Sequence, residues 1–106
     1  MWTVEYLDDD AEVEMEALPK EARASFLRIA EMIRSSGLER MREPYVKHLQ
    51  GKLWEMRLSG RDGIARTLYV TATGRRVVVV HSFVKKTQKT PRRVIDYALR
   101  RAKEVK

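Results

Sequence analysis

Five cations and no acid lie between Lys85 and Arg93, in "KKTQKTPRR": Lys85, Lys86, Lys89, Arg92 and Arg93. The chemistry open to such a cluster is the binding of an anion. A helix opening near Pro91 exposes unpaired backbone N–H groups and the positive end of its dipole, which favour acids in the first turn. Arg92 and Arg93 stand there instead, and Arg93 takes the place where a capping box wants Glu or Gln. The free protein thus carries a local repulsion of roughly a few tenths of a kcal/mol per charge. A bound anion relieves it. The bland alternative is a solvated basic turn.

Arg66 is the second candidate. In "GIARTLYV" it alternates in register with Ile64, Leu68 and Val70. An arginine on an apolar strand face is either paired or functional, and Asp62, Glu55 or an early acid could pair it. Arg57 shares the polar face of "KLWEMRL" with Glu55. The intervening "SGRDG" turn makes the two strands neighbours, so Arg57 and Arg66 are expected close together on one sheet face. Phe83 lies two residues before Lys85 on one strand face, where it either stacks a nucleobase beside the cations or caps the core. Trp54 and Tyr69 read as core residues. His81 reads as a satisfied sheet residue, and His48, between Lys47 and Lys52, as a more exposed one. Two scattered histidines without cysteine make no metal-ligand set. No Gly-rich phosphate loop, HExxH or GxSxG occurs, and no cofactor is expected.

The elements that must position these residues follow from periodicity and punctuation. Trp2–Leu7 alternates as a short strand. Asp8–Asp10 offer an N-cap for a short helix with Val13, Met15 and Leu18 apolar. Pro19 separates it from a second helix, 20–35, carrying Ala22, Phe26, Leu27, Ile29, Ala30 and Ile33, with Gly37 as the stop. Residues 38–46 read as a connection. Strands follow at 52–58, 64–72 and 77–84, joined by short turns, and the valine run Val77–Val80 suggests a central strand buried on both faces. Thr90 reads as the N-cap and Pro91 as the first position of a last helix with the stripe Val94, Ile95, Ala98, Leu99, Ala102 and Val105. The order β-α-α-β-β-β-α describes one α+β domain: an antiparallel meander with helices packed against it.

Charge is divided along the chain. Residues 1–50 hold 7 Lys/Arg and 11 Asp/Glu, a net of −4, and residues 51–106 hold 15 and 4, a net of +11. The second half is therefore a candidate face for a polyanion. No apolar run reaches the ~20 residues of a membrane helix. The opening residues lack the pattern of a signal peptide, so a cytoplasmic protein without membrane contact is expected.

"VKHLQGKLWEMRLSGRDGIARTLYV", "VVVVHSFVKKTQKTPRR" and the closing "A..RA" helix resemble the RelE/HigB superfamily of toxins from type II toxin–antitoxin systems, and within it the phage-derived Gp49-like branch. The similarity spans nearly the whole chain, 1–106, as a single toxin domain. It implies a small antiparallel sheet with two N-terminal helices and one C-terminal helix. It also implies an endoribonuclease that cuts mRNA in the ribosomal A site, an mRNA interferase, held silent by a cognate antitoxin, usually of helix-turn-helix type. The family's RNA-binding positions match Lys52, Arg57, Arg66, Lys85 and Lys86 here, with Phe83 as a stacking residue. Some branches carry histidine, tyrosine or aspartate near the C-terminus as acid or base. The end of this chain, "LRRAKEVK", offers only Glu104.

Metal-free RNA cleavage sends the 2′-hydroxyl onto the adjacent phosphorus. It needs in-line geometry, charge stabilisation, a proton acceptor and a proton donor. Arg57 and Arg66 are expected to grip the scissile phosphate, with Lys85 or Lys86 assisting and Lys89, Arg92 and Arg93 forming an RNA-binding rim. The base is open between Glu55, His48 and a lysine of lowered pKa. Two rival readings keep the fold: a ParE-like inhibitor of DNA gyrase, and a nucleic-acid-binding module without turnover.

Overall fold

The computed structural model describes residues 1–42, 44–60, 63 and 65–106. The Asp-Gly turn expected at 59–63, and the start of the next strand at Ile64, lie outside the described residues in part. The elements are β1 (Thr3–Tyr6), α1 (Asp9–Glu16), α2 (Lys20–Ser36), a single 3-10 turn (Leu38–Arg40), β2 (Val46–Gln50), β3 (Leu53–Leu58), β4 (Ala65–Ala72), β5 (Arg76–Val84) and α3 (Arg92–Ala102). The strands form one sheet in the order β1-β5-β4-β3-β2.

The expected α+β class and helix placement hold, and the sheet is larger than the meander. The segment Val46–Gln50, expected within and just beyond a connection, forms an antiparallel edge strand against β3. At the other edge β1 pairs with β5 in parallel, Thr3 opposite Arg76 and Tyr6 opposite Val79. That parallel pair flanks the valine strand on its open side. Val77, Val78, Val79 and Val80 are consequently 0–3% exposed.

Each face of the sheet carries its own core. Met56, Leu58, Tyr69, Val77 and Val79 pack under α2 with Phe26, Ile29 and Ile33. Leu53, Leu68, Val70, Val78 and Val80 pack under α3, whose expected stripe of Val94, Ile95, Ala98 and Leu99 meets them. Val13 and Leu27, expected on the apolar helix faces, are exposed at 61% and 65%. In α1 the buried positions are Ala11 and Met15, one helical turn apart, and Val13 lies off that stripe. Gly37 stops α2 at φ +90°, and its N–H reaches the Ile33 carbonyl at 2.8 Å.

A register shift between Leu68 and Tyr69 leaves Val80 without a cross-strand partner on β4. This bulge reverses the alternation of β5. Val77 and Val79 lie in the α2 core, whereas His81 and Phe83, which share their odd numbering, stand on the α3 side.

The acid-rich first half and the base-rich second half meet in a clasp. Arg101 on α3 is 7% exposed. It donates to Asp8 Oδ1 at 2.7 Å, Glu14 Oε2 at 3.1 Å and the Tyr97 hydroxyl at 2.6 Å. Burial opposes its charge, but the Tyr97 bond and the two carboxylates outweigh this and raise its pKa. Asp8 also caps α1, accepting from the Ala11 N–H at 2.9 Å. Replacing Arg101 by alanine leaves these acceptors without their donor. The Arg101→Ala protein is expected to lose about 2 kcal/mol of stability, measured by urea unfolding with the fold otherwise intact by circular dichroism.

Candidate nucleic-acid interface

The sheet rows on the α3 face bring the cations together. Arg57 on β3 stands directly opposite Arg66 on β4, and Arg66 opposite Phe83 on β5. Two residues away, Glu55 stands opposite Leu68 on β4 and Lys47 on β2. The proximity of Arg57 and Arg66 expected from the short turn is therefore present as a cross-strand pair.

Glu55 sits at the centre and is 3% exposed. Its Oε1 accepts a hydrogen bond from the Thr90 hydroxyl at 2.5 Å. Its Oε2 lies 3.8 Å from Arg66 Nε and 3.9 Å from Arg57 Nε. Those are ion-pair distances, too long for hydrogen bonds. Both Nε atoms are buried without a hydrogen-bond partner among the described residues. A desolvated N–H of a charged group is unfavourable when unpaired.

The two arginines are held differently. One terminal nitrogen of Arg66 donates to the carbonyls of Gly63 at 2.7 Å and Ala65 at 2.9 Å. Its side chain is only 9% exposed, against 34% for Arg57. Burial holds the Arg66 pKa below the usual arginine value, Arg57 adds to this, and Glu55 opposes it. The group stays charged at neutral pH.

A cleft of about 320 Å³ opens beside this centre, lined by Lys47, Glu55, Arg57, Lys85, Lys89 and Thr90 among others. Lys85 is half-buried, and its amine donates to the Gln88 carbonyl at 2.6 Å. Desolvation lowers its pKa. Arg66, Arg57 and Lys47 push the same way and Glu55 opposes.

The remaining candidates are spread around this centre. Lys86 is exposed on the loop, outside the cleft lining. Arg93 is exposed on the first turn of α3. Arg92 is engaged by the Gln50 side chain and by Asp96 at 3.0 Å. Lys52 lies at the opposite end of β3 and lines a separate hollow with Val105 and Lys106. Phe83 is half-buried and stacks on His81, the rings 5.4 Å apart and 12° from parallel. His81 is paired with Glu14 at 3.0 Å. His48 lines the cleft, but its Nε2 lies 2.7 Å from the Gly51 carbonyl. Tyr69 is buried as expected, and burial pushes its phenol well up. Trp54, expected in the core, is 37% exposed. Its strand lies next to the edge strand, and its ring tilts against His48 at 5.1 Å, in a hollow on the other sheet face.

Two cleft residues escaped the sequence reading. Lys47 belongs to β2, whose signal is the Gly51-Lys52 turn before the alternating run of β3. Thr90 was assigned to the helix cap. Instead Pro91 occupies the cap position, no side chain caps α3, and the Thr90 hydroxyl is turned onto Glu55. An uncapped helix start forgoes about 1 kcal/mol.

Residues 13–103 match the family of phage-derived Gp49-like proteins. No curated protein matches the chain. Among solved structures, the chain is similar to the E. coli toxin RelE, as a double arginine-to-alanine mutant in the free state. That match has 19% identity and a TM-score of 0.65 over 94% of this chain and 96% of that one. It is also similar to a chain of the archaeal RelE–RelB complex from Pyrococcus horikoshii OT3. There the identity is 18% and the TM-score 0.61, over 80% of this chain and 96% of that one. At these identities the likeness establishes the RelE fold.

The lowered Lys85 pKa makes a stability prediction. In the window between that lowered value and the ordinary lysine value of 10.5, the unfolded chain binds more protons at this site than the folded one. Stability therefore rises with pH across the window, and the penalty is fully present below it. A Lys85→Met protein is expected to be more stable than the parent at pH 7, with the gap closing as pH approaches 10.5. Paired urea titrations across that range test the sign.

Proposed function

The chain belongs to the phage-derived Gp49-like family, and from that premise and the geometry of its cationic cleft we propose that it is the toxin of a type II toxin–antitoxin pair, a ribosome-dependent endoribonuclease cutting mRNA in the A site. The observation that carries the reading is the paired arginine seat. Two guanidiniums from adjacent strands turn unpartnered Nε atoms toward one carboxylate oxygen. A phosphoryl group in the cleft, which Arg57 lines, meets an electrostatic field already set by both guanidiniums. The fold shared with the toxin RelE supports the same reading.

The chemistry follows from the cleft. Arg57 and Arg66 hold the non-bridging oxygens of the scissile phosphate. A minor deprotonated fraction of Lys85, enlarged because desolvation and the neighbouring cations lower its pKa, takes the 2′-hydroxyl proton. The 2′-oxygen bonds to phosphorus as the bond to the 5′-oxygen breaks, leaving a 2′,3′-cyclic phosphate. The leaving 5′-oxygen takes a proton from an ammonium on the same cleft, Lys89 or Lys47. Glu55 has one oxygen on Thr90 and the other beside the arginines. It serves as the anion that keeps the cationic seat assembled, and Lys85 fits the base better. Phe83, on the row of Arg66, stacks a flanking base. Lys86, Arg92 and Arg93 add phosphate contacts outside the cleft.

The partner implied is a cognate antitoxin, as RelB is found with RelE in the archaeal complex. In this branch a helix-turn-helix protein is expected, and the ribosomal substrate places the activity in the cytoplasm. None of the described helices is long and apolar enough to cross a membrane.

Mapping mRNA 5′ ends after brief induction tests the reading. Cuts within translated frames, in phase with codons, are expected. Arg66→Ala is expected to lower cleavage about 10²- to 10³-fold while the protein stays folded. Growth arrest with intact transcripts and DNA damage would instead assign a gyrase inhibitor. Intact transcripts with normal growth would assign a binding module.

A further inference from the structure

We propose that Thr90 is the positioning residue of this site: through Glu55, its hydroxyl sets where the basic loop presents the Lys85 amine. The consequence for catalysis rests on the function proposed above, whereas the tether itself does not. Between the end of β5 at Val84 and the start of α3 at Arg92, the side-chain hydrogen bonds of the described residues divide into two kinds. Lys85 to the Gln88 carbonyl, at 2.6 Å, and Thr87 to the Lys89 carbonyl, at 2.5 Å, close the loop on itself. Thr90 to Glu55, at 2.5 Å, is the bond that joins the loop to the sheet.

Three features point to positioning. The hydroxyl is withheld from the helix cap, the usual local use of a threonine before Pro91. It goes to an ionisable acceptor, which makes the stronger kind of hydrogen bond. That acceptor is 3% exposed on an interior strand paired on both sides, a rigid anchor for a loop. Fixing Oε1 also fixes Oε2, the atom facing Arg57 and Arg66. One hydroxyl thus sets the relation of the loop lysine to both arginines.

Lys85 reports whether the tether acts. The charged groups around it are Lys47 on β2, Glu55 and Arg57 on β3, Arg66 on β4 and Lys89 on its own loop. His48 on β2 shares the cleft, and the first turn of α3 contributes Arg92, already bonded to Gln50 and Asp96. Desolvation is the largest influence on the amine, followed by Arg66. A loop freed from Glu55 would let the amine regain water and move away from the arginines.

The test is an NMR titration of the lysine ε-carbons in the full chain, for the parent, Thr90→Val and Thr90→Ser. It is paired with single-turnover cleavage on programmed ribosomes. In Thr90→Val the Lys85 midpoint is expected to move up toward the ordinary lysine value. The saturating rate is expected to fall about 10-fold, as misplacement of a reacting group does, with half-saturation by ribosomes unchanged. Thr90→Ser, which keeps the hydroxyl, is expected to restore both. Thr90→Ala repeats the measurement without the valine methyl should that crowd the cleft. An unmoved Lys85 midpoint in folded hydroxyl-free variants overturns the tether. A midpoint that moves in a protein whose parent cleaves no mRNA leaves the tether standing and overturns the catalytic reading. A cleavage rate unchanged by a moved midpoint overturns the positioning role alone.

Discussion

A carboxylate removed from water in the middle of a cationic sheet face constrains everything around it. Glu55 is stable there only with compensating partners at both oxygens, because a buried charge without partners is strongly destabilising. Thr90 meets one oxygen, and two guanidiniums face the other at ion-pair distance. The dependence is mutual. Arg57 and Arg66 on opposing strands repel one another, and Arg66 is almost wholly desolvated, so the pair needs an anion between its members. The folded protein thus contains its own minimal counter-ion. It also leaves both Nε groups without a hydrogen-bond partner among the described residues.

The charge division along the chain has two structural outcomes. Part of it is neutralised within the fold. Glu5 meets Arg76 at 2.5 Å, Asp8 and Glu14 meet Arg101, and Glu14 meets His81. These contacts join the first strand and helix to the last strand and helix, and so hold the sheet and its C-terminal helix to the N-terminal elements. Among the described residues, the cations of the β2–β3–β4 face and the loop into α3 make no ion pair with an acid of the first half.

Much of this was legible in residue order. Short turns between alternating runs imply that Arg57 and Arg66 are neighbours, since a hairpin fixes register locally. The valine run implies burial on both faces, and the stripe of the last helix implies what it covers. What escaped depends on contacts distant in sequence. The parallel pairing of β1 with β5 joins residues more than seventy positions apart and has no local signature. The edge strand β2 carries only Val46 and Leu49 as apolar residues. Trp54 was assigned to the core by type, but the strand beside an edge leaves one flank of its ring in the open. Thr90 could satisfy a helix end or a buried carboxylate, and only the folded sheet supplies the second acceptor. In the candidate site Arg57, Arg66 and Glu55 were readable, whereas the place of Lys47 on an edge strand and the turn of Thr90 onto Glu55 were not.

The bulge at Val80 has a consequence for kinship. It adds one residue to β5 without a partner on β4, so the strand changes face partway along. The odd-numbered residues before it, Val77 and Val79, face the core under α2, and those after it, His81 and Phe83, face the α3 side. Loss of the unpartnered residue would remove the bulge and restore regular alternation while leaving the β4 partners on either side unchanged. Relatives at 18–19% identity can therefore share the backbone and still offset their functional positions by one. Correspondence between them has to be read from spatial superposition on either side of the bulge, because a gapless pairing of letters would match a buried residue of one protein with a surface residue of the other.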